Sequence, residues 1–249
     1  MRRSVTTVLV LVLLAAGAAR ANLLDKLKEL EGGKDQPAAP VQQSGIGAGQ
    51  SESTISAGLK EALTIGSQKA VEAVAKQNGY FGNPAIRIPL PDKVRSSEKV
   101  LRNVGLGKQV DEFELTMNRA AEKAAPAAKD ILVGAVKEMS IADAVNVLRG
   151  GDTAATQYMR SKTYVKLYGA FKPAVTRSVL DVGVTKAYQQ LVDEGKKLRL
   201  VKDESMDLDH YVTTKALDGL FVMLGEEEKK IRKDPAAQVT DLLKKVFGK

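Results

Sequence analysis

Four consecutive residues, Arg149-Gly150-Gly151-Asp152, bring together the groups in this chain best suited to holding a ligand. Two glycines permit positive φ and close backbone approach. The helix expected after them would present free amides and the positive end of its dipole, which receive anions, with Arg149 alongside. A helix C-cap, a tight turn and an N-cap at Asp152 account for the same four residues without any ligand, and turn chemistry is the plainer explanation. Tyr158 in the next helix, and Asn118 and Arg119 in an earlier one, carry further hydrogen-bonding and charged groups. The candidate ligand-binding set is therefore Arg149, Gly150, Gly151, Asp152, Tyr158, Asn118 and Arg119.

A second cluster, Asp203-Glu204-Ser205-Met206-Asp207-Leu208-Asp209-His210, gathers four acids and the single histidine. Alternate oxygen ligands suit a hard cation such as calcium, with His210 as a further ligand. The stretch lacks the glycine and closing glutamate of a calcium-binding loop, and acids collect at helix starts for dipole reasons alone. No metal site is assigned. With one histidine, no cysteine and no Gly-x-Ser-x-Gly elbow, the chain shows neither a zinc-binding histidine pair nor a nucleophile with its base. No catalytic residue is assigned and no cofactor is expected. The run Glu226, Glu227, Glu228, Lys229, Lys230 and Arg232 reads as a solvated helix end.

These candidates need elements to position them, and the elements are helices. Aromatic residues make up 4% of the chain, tryptophan is absent, and alanine and leucine are plentiful. Small aliphatic side chains suit close helix packing better than a sandwich of β-branched and aromatic strands. The expected fold is all-α: one compact multi-helix domain with a single irregular Pro/Gly-rich loop, preceded by a signal peptide and a disordered linker.

Residues 1–21 carry the export signal. Met1, Arg2 and Arg3 start it, Val5 to Ala16 is uncharged, and Ala19-Arg20-Ala21 offers small residues where a signal peptidase cuts. The apolar run is shorter than the roughly 20 residues of a membrane-spanning helix, so no transmembrane span is expected after leader removal. Loss of three arginines lowers the net charge from +8 to +5. A mild excess of mixed charge disfavours nucleic acid as a partner. The absence of cysteine excludes a disulfide scaffold and a lipid-modified leader cysteine. Location in the periplasm or secretion is expected.

Residues 22–53 form a linker that begins with a short leucine stripe, Leu23, Leu27 and Leu30, and continues in Gly, Pro, Gln, Ala and Ser. That stripe is a frayed helix or a docking segment, with weak membrane-surface contact as a further possibility. The helical domain, 54–249, opens with a helix over about 57–76. Residues 79–91, with three prolines and two glycines, cannot be helical, and their apolar side chains either cover the core or rim a groove. Further helices are expected over 94–103, 110–124, 128–139, 141–148, 153–168, 173–182, 184–195 and from 207 or 209 to 234, then a final turn over 239–247. Ser140-Ile141-Ala142-Asp143 resembles a capping box.

Ser56-Ala57-Gly58-Leu59-Lys60-Glu61-Ala62-Leu63, Phe81-Gly82-Asn83-Pro84 with Ile88-Pro89-Leu90-Pro91, Met117-Asn118-Arg119-Ala120-Ala121-Glu122, Leu148-Arg149-Gly150-Gly151-Asp152 with Ala155-Thr156-Gln157-Tyr158, and Lys215-Ala216-Leu217-Asp218-Gly219-Leu220 occur in this order. Together they resemble an exported bacterial helical family catalogued as a domain of unknown function, the DUF4197 type, over about residues 54–248. The resemblance implies a helical, periplasmic domain and assigns no catalytic residue. Members often look like lipoproteins, from which this cysteine-free chain departs. The expected function is a non-enzymatic domain of the bacterial cell envelope that binds an envelope protein or a small ligand. The alternative is an envelope enzyme using Arg149, Asp152 and Tyr158.

Overall fold

Ser51 opens the first helix by accepting the amide of Thr54 on its side chain at 3.2 Å, and Glu52 adds an acid to the first turn. The computed structural model describes residues 47, 49–197, 206–234 and 237–248, all within the compact unit Gln43–Lys249. The leader, the leucine stripe at 23–30 and the acids Asp203 and Glu204 lie outside the described residues. The fold is all-α, with no strand among the described residues.

Among the described residues, eight helices are longer than a single turn: α1 (Glu52–Ala75), α2 (Gly107–Ala124), α3 (Lys129–Glu138), α4 (Ile141–Arg149), α5 (Ala154–Asp181), α6 (Val184–Lys197), α7 (Leu208–Lys233) and α8 (Asp241–Phe247). The first begins at Glu52, a little before the expected start near 57. The helix expected over 94–103 is instead two single turns, Asp92–Arg95 and Glu98–Leu101, followed by a wide turn over Arg102–Leu106. Pro126 breaks the chain where expected, inside a tight turn at Ala125–Ala128. The capping box at Ser140 is present, with both reciprocal bonds made by Asp143.

The largest departure is α5, which runs unbroken over 28 residues, through Pro173, where two helices over 153–168 and 173–182 were expected. Proline there removes one backbone hydrogen bond and crowds the preceding turn, at a cost of roughly 3 kcal/mol. Against that cost, Thr163, Leu167, Phe171, Val175 and Val179 form one buried stripe through the proline. Each large apolar side chain withdrawn from water contributes about 1.5–3 kcal/mol, so continuity wins. The helix stops at Gly183, whose φ of 78° suits glycine.

Helices α5 and α7 pack antiparallel at the centre. Glu228 meets the start of α5, and Asp209 accepts from the Thr176 hydroxyl at 2.7 Å near its other end. The α2–α3 arm runs antiparallel to α5 on another side, marked by Lys123–Asp181 at 2.7 Å and Lys166–Glu138 at 3.9 Å. Helix α1 lies against α3, α4, α7 and α8, while α6 covers α2 through Phe113 and Tyr188, their rings 5.3 Å apart. The irregular stretch 79–91 is part of this core: Tyr80, Ile86, Ile88 and Leu90 are buried. The Tyr80 hydroxyl donates to the Ala216 carbonyl at 2.7 Å. Its ring fits against α7 because Gly219 has no side chain; a Cβ there would lie 2.8 Å from Tyr80 Cε1.

Candidate functional site

The seven candidate residues fall into three separate places. Asn118 and Arg119 serve the buried loop. The Asn118 carboxamide accepts the Ile88 amide at 2.8 Å and donates to the Ile88 and Glu114 carbonyls at 2.9 and 2.8 Å. Arg119 donates to Glu122 at 2.6 Å and to Asn78 at 2.8 Å. The other Glu122 oxygen accepts the amides of Tyr80 and Phe81 at 3.1 and 3.2 Å. The Arg87 guanidinium sits 4.1 Å from the centre of the Phe81 ring and is held by Glu114 through two bonds at 2.9 and 2.7 Å. Four side chains of α2, Glu114, Asn118, Arg119 and Glu122, thus hold the loop as a cover on the core.

Arg149, Gly150, Gly151 and Asp152 form the α4–α5 junction. Arg149 is exposed and has no partner among the described residues, and Asp152 is paired with Lys233 at the end of α7. That bond holds the Asp152 carboxyl below its ordinary range. Asp152 is not the N-cap of α5; Thr153 occupies that position without a side-chain bond. The cap comes from α7. Glu228 accepts the Ala155 amide at 3.0 Å on one oxygen, and the Thr156 amide and hydroxyl, both at 2.8 Å, on the other. Arg232, bonded to Glu228 at 3.0 Å, donates to the Val147 and Leu148 carbonyls at 2.9 and 3.2 Å. Both side chains are buried, each residue only 6% exposed, which corrects the expected solvated end of α7. The amides that could receive an anion at this helix start are already occupied by a carboxylate of the chain itself.

Glu228 and Arg232 were missed in the sequence because they sit inside a run of charges. A signal was nevertheless present: Leu217, Leu220 and Leu224 step by three and four, and the same step passes through Glu228 to Ile231 and Arg232.

Tyr158 lies elsewhere, at one end of a groove of about 480 Å³ between α3 and α5. Its hydroxyl donates to Asp143 at 3.2 Å. Burial, then the Asp143 charge, pushes its pKa up, so Tyr158 is a neutral donor. The Ser140 hydroxyl, then the Ser140 amide, hold Asp143 below its ordinary value. Lys162 lies 5.6 Å from the centre of the Tyr158 ring, and Lys166 makes a loose pair with Glu138. Ile131, Gly134 and Ala135 form the floor; a Cβ on Gly134 would meet nothing within 4 Å. Asp130 and Glu138 stand on the α3 wall, Lys162 and Lys166 on the α5 wall. Asp143, ionised in its cap, adds a negative charge at the Tyr158 end; along the two helices the charges are two of each sign, acids on α3 and bases on α5.

Of the acidic cluster, Asp207 caps α7 by accepting the His210 amide at 2.8 Å, and His210 shares a 2.7 Å hydrogen bond with Tyr168. No group of three or more His, Cys, Asp or Glu that could hold a metal occurs among the described residues. No described helix is long and apolar enough to cross a membrane. Arg149, Asp152 and Tyr158 do not share a cleft: the first is free on the surface, the second is bound to α7, and the third is bound to Asp143. The groove offers a neutral donor, ionised walls and a small apolar floor, which together can bind and orient.

A family model described as a protein of unknown function, DUF4197, matches residues 49–248. No curated protein and no solved structure matches the chain.

Proposed function

Because the chain belongs to the DUF4197 family, which carries no known function, the site itself must indicate the role, and we propose that the domain is a non-enzymatic binding module whose α3–α5 groove receives a segment of another folded chain in the cell envelope. The segregated charge of the groove carries this proposal. Any ligand of one sign meets attraction from one wall and repulsion from the other, so an inorganic anion, a polycation or a nucleic acid gains little. A helical segment with acids along one edge and bases along the other matches both walls and lays its apolar ridge on Ile131, Gly134 and Ala135.

The buried charges support binding over catalysis. Glu122 and Glu228 both hold backbone amides within the fold. Tyr158, with its raised pKa, is a poor base at neutral pH. The envelope location rests on the basic start, apolar run and small-residue site of residues 1–21.

A photoreactive residue placed at Gly134 in the full-length protein, expressed in a bacterial host, tests the role. An adduct to a protein is expected from Gly134, absent from the same residue at exposed Val222, and lost when Lys162 and Lys166 are both changed to glutamate. Equal labelling at the two positions would overturn the groove as the binding surface. Sequencing of the recovered protein's N-terminus should give a start near Asn22; a start at Met1 would remove the envelope from the proposal.

A further inference from the structure

We propose that the occupant of the groove is a second copy of this chain, related by a twofold axis along the α3–α5 face. The proposal rests on the groove being a binding surface. The acids Asp130 and Glu138 belong to one wall and the bases Lys162 and Lys166 to the other, so the walls carry equal and opposite charge. A twofold axis lying in the interface and running along the groove lays the acidic α3 wall of each copy over the basic α5 wall of the other. A twofold interface uses the same patch on both subunits, so a patch must complement itself, and this one does.

The apolar surface agrees. Val165, between the two lysines in sequence, is 84% exposed, the highest value among the large apolar side chains of the described residues, and Leu180, further along α5, is next at 67%. Within one chain Val165 is not part of the groove lining. Brought across the axis, it is a knob for the floor of the partner groove, where Gly134 leaves open space and Ala135 is small. The 28 residues of α5 extend about 42 Å, giving the face the reach of an ordinary protein interface. Glu138 and Lys166 already approach within the chain at 3.9 Å, and both stay largely exposed. Each therefore keeps open hydrogen-bonding capacity for the opposite copy.

Reciprocal charge reversal isolates the symmetry. One variant carries Asp130→Lys and Glu138→Lys; the other carries Lys162→Glu and Lys166→Glu. Analytical ultracentrifugation of the protein lacking residues 1–21 should show a concentration-dependent dimer for the wild type. Each variant alone should dimerise at least tenfold more weakly, since like charges then face each other twice. An equimolar mixture of the two should recover the wild-type association, because every cross-axis pair is opposite again while no intrachain pair is restored. Val165→Glu should weaken the dimer by a similar factor, with the helical circular dichroism unchanged.

A wild-type monomer at all concentrations, or variants that do not recover on mixing, would overturn the twofold dimer. The Gly134 adduct separates the two claims. An adduct of twice the chain mass supports the second copy. An adduct to a different protein overturns the dimer and leaves the binding groove standing, as does an intramolecular adduct to residues 22–31 overturn it. Equal labelling at Gly134 and Val222 removes both claims.

Discussion

Glu228 and Arg232, one turn apart on α7, hold opposite ends of the same interhelical junction. The carboxylate takes the first amides of α5, and the guanidinium takes the last carbonyls of α4. Each charge thereby satisfies backbone groups that a helix end leaves without partners. The ion pair between them closes the set at 3.0 Å. The Arg149-Gly150-Gly151-Asp152 turn is shaped from beneath by α7.

Breaking this pair from one side leaves the other charge buried alone. Glu228→Gln, which keeps the shape, should lower stability by about 3–5 kcal/mol in urea denaturation, and Arg232→Met by a similar amount. The double variant should lose clearly less than the sum of the two. Additive losses would show that the residues act on the junction independently.

Gly219→Ala tests the seat of the loop. The new Cβ would stand 2.8 Å from the Tyr80 ring and 3.1 Å from Ile86 Cβ, and a buried aromatic ring cannot move aside cheaply. A loss of about 1–3 kcal/mol is expected, with faster amide exchange at Tyr80 and Phe81. Unchanged exchange at these two amides would mean that the loop is not seated through α7.

The capping box makes a statement about acid. Asp143 has a depressed pKa, so its contribution to stability is present above its ordinary value of 3.8 and is lost as the pH falls through the lower, folded value. A carboxyl titration followed by NMR should place its midpoint below 3.8. Ser140→Ala should raise that midpoint more than Tyr158→Phe, because the Ser140 hydroxyl is the largest cause of the depression and only the backbone amide bond remains in the variant. The reverse order would assign the depression to the groove and not to the helix cap.

Pro173→Ala restores an amide inside α5 without touching the buried stripe. Stability should rise by about 2 kcal/mol, being the roughly 3 kcal/mol cost of an internal proline less the gain of up to about 1 kcal/mol that proline gives by restricting the unfolded chain. A loss of stability in the same denaturation experiment would show that the proline geometry is needed for packing.

The helical fold was legible because local chemistry and periodicity agreed. Ser140 with Asp143, Pro126 and the prolines of 79–91 all act within a few residues of themselves, and each is found where expected. The join across Pro173 was not legible: the local penalty of a proline is real, but the stripe from Thr163 to Val179 answers it through packing on other helices. The groove was not legible, since one wall comes from α5 and the other from α3, and only packing brings Asp130 and Glu138 into the same groove as Tyr158, Lys162 and Lys166. Asn118 showed an amide in an apolar stripe. Its use lay 30 residues back in the chain, at Ile88.

Asn118 pairs with both backbone groups of that one residue, as a neighbouring strand would. The loop is thus pinned at Tyr80 by Glu122 and again at Ile88 by Asn118, so the number of residues between the two pins is fixed by α2. Deleting or adding one residue there would offer Asn118 a neighbour of Ile88 whose side chain points to the opposite side. Exposed positions between the pins can change in kind but not in count, and α2 serves the loop as a ruler.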